Sequence, residues 1–317
     1  MTQFISTLVS GFALGGIVAL MALGYVIVYR STHTLNFAQG SLMVLGGYIT
    51  FWFNGPLRGV NFNYPPSVFR LPFFVALLLA MVVLGIFGWL LDVLIVSRFR
   101  GRPVFAVIMA TLGVATVLGS VMSVVWGTVS FNLRAPDWTL RAFRVGGVSV
   151  GWVDVLTLGV VIAISIAFFF GFQRSKLGTA MKATAFDQEA AIAQGISPKV
   201  IFGTSWALSA SLAAVAGVLL ASGAGSLETQ TGPGLAKWAF LGFPAIVLGG
   251  VDSLEGAVIG GMIIGLVVSF AAQYEADLLD LVYVGHGFHT VAPFLLMIII
   301  LLVRPAGLLG TKEVRRV

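Results

Sequence analysis

Cysteine is absent from the 317 residues, which removes disulfides, thiolate metal ligands and a cysteine nucleophile from consideration. Charge is scarce as well: 9% of the chain is Asp, Glu, Lys or Arg, against roughly a quarter in a soluble domain. The dipeptide Gly-Lys never occurs, so the G-x-x-x-x-G-K-[ST] phosphate loop is missing and any ATPase activity would need a separate subunit. Ionisable groups are also missing from the middle of the apolar runs. Asp92 and Asp154 fall near the ends of theirs, and Asp252 and Glu255 sit in a tight turn between two runs. Proton relays and ion sites normally need such central charges, so an ion-coupled carrier is disfavoured. The three histidines, His33, His286 and His289, share no zinc-ligand set with carboxylates. No residues read as catalytic, and no metal or cofactor is expected.

What is present is apolar. Hydrophobic residues make up 58% and the mean hydropathy is +1.03, which identifies an integral membrane protein. The 30 Å hydrocarbon core needs roughly 20 apolar residues per helical crossing. Runs long enough to be candidates cover 4–28, 38–54, 71–96, 104–126, 152–172, 200–221, 238–251, 254–273 and 289–303. The expected fold class is an all-α integral membrane protein, a polytopic bundle of about eight to nine transmembrane helices. The runs at 238–251 and 289–303 are the shortest and are open to a re-entrant reading. The first run carries no charge before Arg30, so it reads as a span and not as a cleaved leader.

With nine crossings, the 18 Lys and Arg residues sort unevenly. Arg30, Arg98, Arg100, Arg102, Arg174, Lys176, Lys182, Lys199, Arg304, Lys312, Arg315 and Arg316 share one side. Arg58, Arg70, Arg134, Arg141, Arg144 and Lys237 fall on the other. The richer side is cytoplasmic by the positive-inside rule, giving an outside N-terminus and a cytoplasmic C-terminus. The basic residues are dispersed between spans, so they signal topology and membrane contact and give no nucleic-acid face. The outer loop at 129–150 is expected to hold a short amphipathic helix, with Trp138 and Trp152 as interfacial anchors. Glycines at close spacing, Gly11 with Gly15, Gly256 with Gly260 and Gly261 with Gly265, predict close helix crossings. The triplet Leu-Gly-Gly at 45–47 and again at 248–250, in oppositely oriented spans, faintly echoes an inverted repeat.

Two groups of polar residues stand out. Asn36, Gln39 and Ser41 open an apolar span, either facing a water-filled path or capping the helix. Thr111 and Thr116, with Ser120, are either pathway-lining or bonded to their own helix backbone. On the inner side the loop at 173–199 is the longest polar segment. Its residues 177–194 favour one helix with Met181, Ala185, Ala190 and Ile192 as a partly apolar stripe, ended by Gly195 and Pro198. A helix and turn there form a knob that a groove in another protein can receive.

Glu189-Ala190-Ala191 followed by Gly195 is similar to the EAA loop of ABC importer permeases, without that family's later Leu-Pro element. Leu35-Asn36-Phe37-Ala38-Gln39-Gly40-Ser41 with Leu45-Gly46-Gly47-Tyr48 resembles the second-span signature of branched-chain amino-acid ABC permeases, with Gln39 where many relatives have His. Residues 245–260 and Arg304-Pro305-Ala306-Gly307-Leu308-Leu309-Gly310 resemble the same family, so the motifs run from end to end of the chain. The resemblance implies one permease domain over 1–317 in the bacterial inner membrane. It implies a second homologous permease subunit, two cytoplasmic ATP-binding subunits and a periplasmic solute-binding protein. Glu189, Ala190, Ala191 and Gly195 would then couple ATP hydrolysis to rocking of the spans. A pathway without central charge suits a small neutral or zwitterionic solute, most readily a branched-chain amino acid. The competing reading is an ATP-independent channel or facilitator for small amides or urea.

Overall fold

The computed structural model describes residues 2–55, 69–127, 133, 136, 139, 141–145, 148–223, 239–281 and 287–310. The elements are helices α1 (Thr2–Thr32), α2 (Gln39–Asn54), α3 (Phe73–Leu94) and α4 (Val104–Trp126), strands β1 (Ala142–Val145) and β2 (Val148–Gly151), then α5 (Trp152–Arg174), α6 (Lys176–Phe186), α7 (Gln188–Ala193), α8 (Pro198–Gly223), α9 (Gly242–Gly249), α10 (Leu254–Leu281) and α11 (Phe288–Val303). A 3-10 turn, Val96–Phe99, joins α3 to α4. Every expected apolar run contains a helix. Among the described residues six helices are long and apolar enough to cross a membrane: α1, α3 with its 3-10 extension, α4, α5, α8 and α10. Helices α2 and α11 have 16 residues each and α9 has 8, so α9 rises only about 12 Å at 1.5 Å per residue.

The chain divides into two compact units, and α1 and α5 contribute residues to both. One contains 27–136 and 163–239. Its centre is α8, packed between α2 and α3. Small residues make these approaches: Gly46 lies on Ala214, and Gly88 on the backbone of Trp206. Ser211 donates from Oγ to the Met81 carbonyl at 2.9 Å, adding a polar tie between α8 and α3.

The other unit contains 1–26, 137–162 and 240–317. Here α1 crosses α10 so closely that a Cβ on Gly265 would lie 2.1 Å from the Gly15 Cα. Of the spaced glycines, Gly11, Gly15, Gly261 and Gly265 therefore form one crossing, while Gly256 and Gly260 receive α9. The segment after α11 returns to the end of α9. Leu308 and Leu309 donate backbone N–H bonds to the carbonyls of Leu248 (2.8 Å) and Gly249 (3.0 Å). Gly250, at φ +106°, turns the chain under Gly310, so two of the separated sequence motifs are halves of one contact. The Leu-Gly-Gly triplets occupy unlike positions, the first inside α2 and the second at the C-terminal end of α9.

Two expectations need correction. The described end of the outer loop is an antiparallel hairpin and not an amphipathic helix, with Phe143 opposite Val150 and Arg144 opposite Ser149. Alternating β-branched residues around Gly146-Gly147 are a hairpin signal, and they outweigh helix propensity. The Trp152 ring lies 4.8 Å from that of Phe143; Trp138 lies outside the described residues. The inner loop, expected as one helix over 177–194, is two helices broken at Asp187.

Candidate coupling and pathway sites

The break at Asp187 has a local cause. The Asp187 N–H closes α6 on the Ala183 carbonyl at 3.0 Å. Its side chain, Oδ1, accepts from the Ala190 N–H at 2.9 Å and so caps α7. Ser175 caps α6 in the same way, accepting from the Gly178 N–H at 3.0 Å. At the far end Ile196 donates its N–H back to the Ala191 carbonyl, with Gly195 between them at φ +81°. That left-handed turn suits glycine and strains any other residue. Pro198 does not end α7 but occupies the first position of α8, where its missing N–H costs nothing.

The paired helices have an inner and an outer face. Met181, Thr184 and Ala191 are buried, and the Met181 sulfur lies 3.9 Å from Ser205 Oγ of α8. Glu189 and Ala190 are exposed, as is Ile192. The expected stripe is therefore divided: Met181 and Ala185 face inward or half inward, whereas Ala190 and Ile192 face out. Phe186, which sequence reasoning passed over, is 95% exposed beside the cap at Asp187. A large aromatic side chain at a helix end, next to the EAA segment, was the available signal.

Behind the loop stands an ion pair that spacing alone does not reveal. Arg100 reaches back across the 3-10 turn to both carboxylate oxygens of Asp92 at 2.5 Å, and its guanidinium lies 4.4 Å from the Phe202 ring centroid on α8. The Asp92 side chain is 1% exposed. The connection between α3 and α4 is thus fastened to α8 close to where α7 is anchored.

The polar group at the start of α2 is buried and mutually bonded. Asn36 accepts from the Ala38 N–H through Oδ1 (3.0 Å) and donates to Gln39 Oε1 (3.0 Å). Gln39 donates to the Ser209 carbonyl (3.2 Å) and accepts from Ser209 Oγ (2.9 Å). Ser41 donates to the Ala115 carbonyl at 3.1 Å, and the Phe37 N–H reaches Thr111 Oγ1 at 3.3 Å. Helix α2 is thereby pinned to both α8 and α4. Thr116 and Ser120 differ: they are exposed and donate back to the carbonyls of Leu112 and Thr116 on their own helix. Gln39→Leu should lower the thermal midpoint of the purified protein, since Ser209 and Asn36 lose partners worth about 1–2 kcal/mol. Gln39→His, which restores a donor and an acceptor, should lose less in the same scan.

Residues 147–151 carry the G-x-S-x-G spacing of a serine-hydrolase elbow, which corrects the reading that the sequence has no motif of this type. Ser149 lies inside β2 opposite Arg144 and not on a strand-to-helix turn, so the elbow geometry is not formed.

A family profile described as the permease component of branched-chain amino acid transport systems matches residues 7–303. The high-affinity branched-chain amino acid transport permease BraD of Pseudomonas aeruginosa is 28% identical, over 99% of this chain and 98% of its own length. LivH of Escherichia coli K12 is 27% identical, over 99% of this chain and 98% of its own. A probable LivH of Methanocaldococcus jannaschii is 27% identical, over 95% and 91%. No solved structure gives a significant match.

Proposed function

This chain belongs to the permease family of branched-chain amino-acid transport systems, and from that premise we propose that it forms half of the pathway of an ATP-driven importer for branched-chain amino acids. It is a multi-pass inner-membrane transport subunit and not an enzyme. A second homologous permease completes the pathway, a periplasmic binding protein delivers the solute, and two ATP-binding subunits dock on the cytoplasmic side. The observation that carries the docking is the loop itself: two capped helices held from beneath by Met181 and Ala191, presenting Phe186, Glu189, Ala190 and Ile192 outward. A rigid knob of this kind transmits displacement to α8, with which it is continuous through Pro198.

The N-terminus lies outside and the C-terminus in the cytoplasm. The distribution of Lys and Arg supports this, with twelve on the assigned cytoplasmic side against six on the other. The run at 238–251, which contains α9, is one of the nine crossings, and residues 1–317 act as one permease domain. Asn36, Gln39, Ser41 and Thr111 hold α2 in place, and Thr116 on the open face of α4 is the stronger candidate for the path.

Reconstituted with its ATP-binding subunits and binding protein, the chain should take up leucine, isoleucine or valine only when ATP is present. Gly195→Val forces a β-branched residue into the left-handed region at about 1–2 kcal/mol. It should weaken ATPase copurification by about tenfold while the protein remains in the membrane. Uptake that persists without ATP would overturn the importer reading in favour of a facilitator.

A further inference from the structure

We propose that the cavity behind the coupling loop is a phosphate-anion site, filled by the headgroup of an anionic phospholipid of the cytoplasmic leaflet. The cavity has a volume of about 350 Å³ and is lined by the end of α1, the α3–α4 connection and the break between α6 and α7. Its polar lining includes Ser31, Thr32, His33, Thr34, Arg100 and Arg102, and no carboxylate is among its described lining residues. Arg100 spends one nitrogen on both carboxylate oxygens of Asp92. Arg102 is exposed and forms no ion pair among the described residues. Arg100 is already matched by Asp92, so the guanidinium of Arg102, with no carboxylate partner among the described residues, is the group that selects an anion, and phosphate oxygens suit its fork geometry. A zwitterionic amino acid would leave its ammonium without an acceptor of opposite charge.

One observation favours a lipid as the source. Val104 and Phe105, beside Arg102 at the start of α4, are 56% and 68% exposed, so acyl chains have apolar surface next to the cationic group. The backbone of His33 is held at φ +52°, outside the range most residues adopt, where α1 ends at the cavity wall. A ligand there would touch the α1 terminus, the α3–α4 connection and Gln188 of α7 at once. Occupancy therefore braces the coupling loop, and transport responds to the membrane's anionic lipid content.

The inference rests on the cytoplasmic placement of the loop proposed above. The assembled transporter is titrated in phosphatidylcholine nanodiscs with phosphatidylglycerol, and separately with inorganic phosphate, reading thermal midpoint and ATP-driven uptake. Wild type should gain in both with phosphatidylglycerol, and Arg102→Gln should need about five- to tenfold more lipid for the same gain. Arg98→Gln, on the same surface but outside the cavity lining, should respond as wild type. A response to inorganic phosphate equal to that of the lipid keeps the phosphate site but makes its ligand a soluble anion. Equal sensitivity of Arg98→Gln and Arg102→Gln, or no response in wild type, overturns the site. A response seen in the free chain but lost once ATP-binding subunits are attached also overturns it and assigns the cavity to a protein contact. ATP-driven uptake that ignores both additives removes this inference while leaving the importer reading intact.

Discussion

Arg100→Ala is expected to destabilise the chain by about 3–5 kcal/mol, enough to remove most folded protein from the membrane. The size of the effect comes from what is left behind. Asp92 is 1% exposed, and without the guanidinium its carboxylate stays buried with no counter-charge. The same change strips the packing of Arg100 over Phe202, so the α3–α4 connection loses its hold on α8. Asp92→Asn should be milder, because Arg100 is 27% exposed and its charge can still reach water. The double variant Asp92→Asn/Arg100→Gln tests the reasoning: with no unpaired charge it should recover most of the loss in thermal unfolding of detergent-solubilised protein. A double variant as unstable as Arg100→Ala would show that packing and not charge pairing dominates.

Long apolar runs were legible because lipid imposes a length on each crossing and excludes charge from it. The run expected at 104–126 is α4, and that expected at 4–28 is α1 with an extra turn at its C-terminal end. Close helix crossings were legible at Gly15 and Gly265 for the same reason, since few residues permit such contact. The break between α6 and α7 was obscured by strong helix propensity on both sides, although Asp187 carries a readable cap signal. The hairpin at Gly146-Gly147 was likewise a local signal that the expectation of a helix overrode. Pairings distant in sequence had no local signal at all. Gln39 and Ser209 are 170 residues apart, and Arg100 meets Asp92 by folding back over a 3-10 turn instead of by helical spacing. The resemblance identified the two motifs at 245–260 and 304–310 separately, but only the backbone bonds between Leu308 and Leu248 explain why they belong together.

Phe186→Ser should weaken binding of the ATP-binding subunits by about ten- to a hundredfold. Burying a phenylalanine side chain is worth about 1.5–3 kcal/mol, and each 1.4 kcal/mol is a factor of ten in affinity. At 95% exposure the ring packs on almost nothing in this chain, so its removal should leave the thermal midpoint unchanged. That separation distinguishes a docking residue from a structural one. The neighbouring caps strengthen the expectation, because Asp187 holds the end of α6 and the start of α7 rigid, and the ring is presented without further ordering cost. Phe186→Leu, which keeps most of the apolar area, should retain most of the affinity. ATP hydrolysis by the assembled transporter should lose its stimulation by loaded binding protein in Phe186→Ser, while hydrolysis by the isolated ATP-binding subunits stays the same. Copurification at the wild-type level would instead assign the exposed ring to the lipid surface and move the docking contact to Glu189, Ala190 and Ile192.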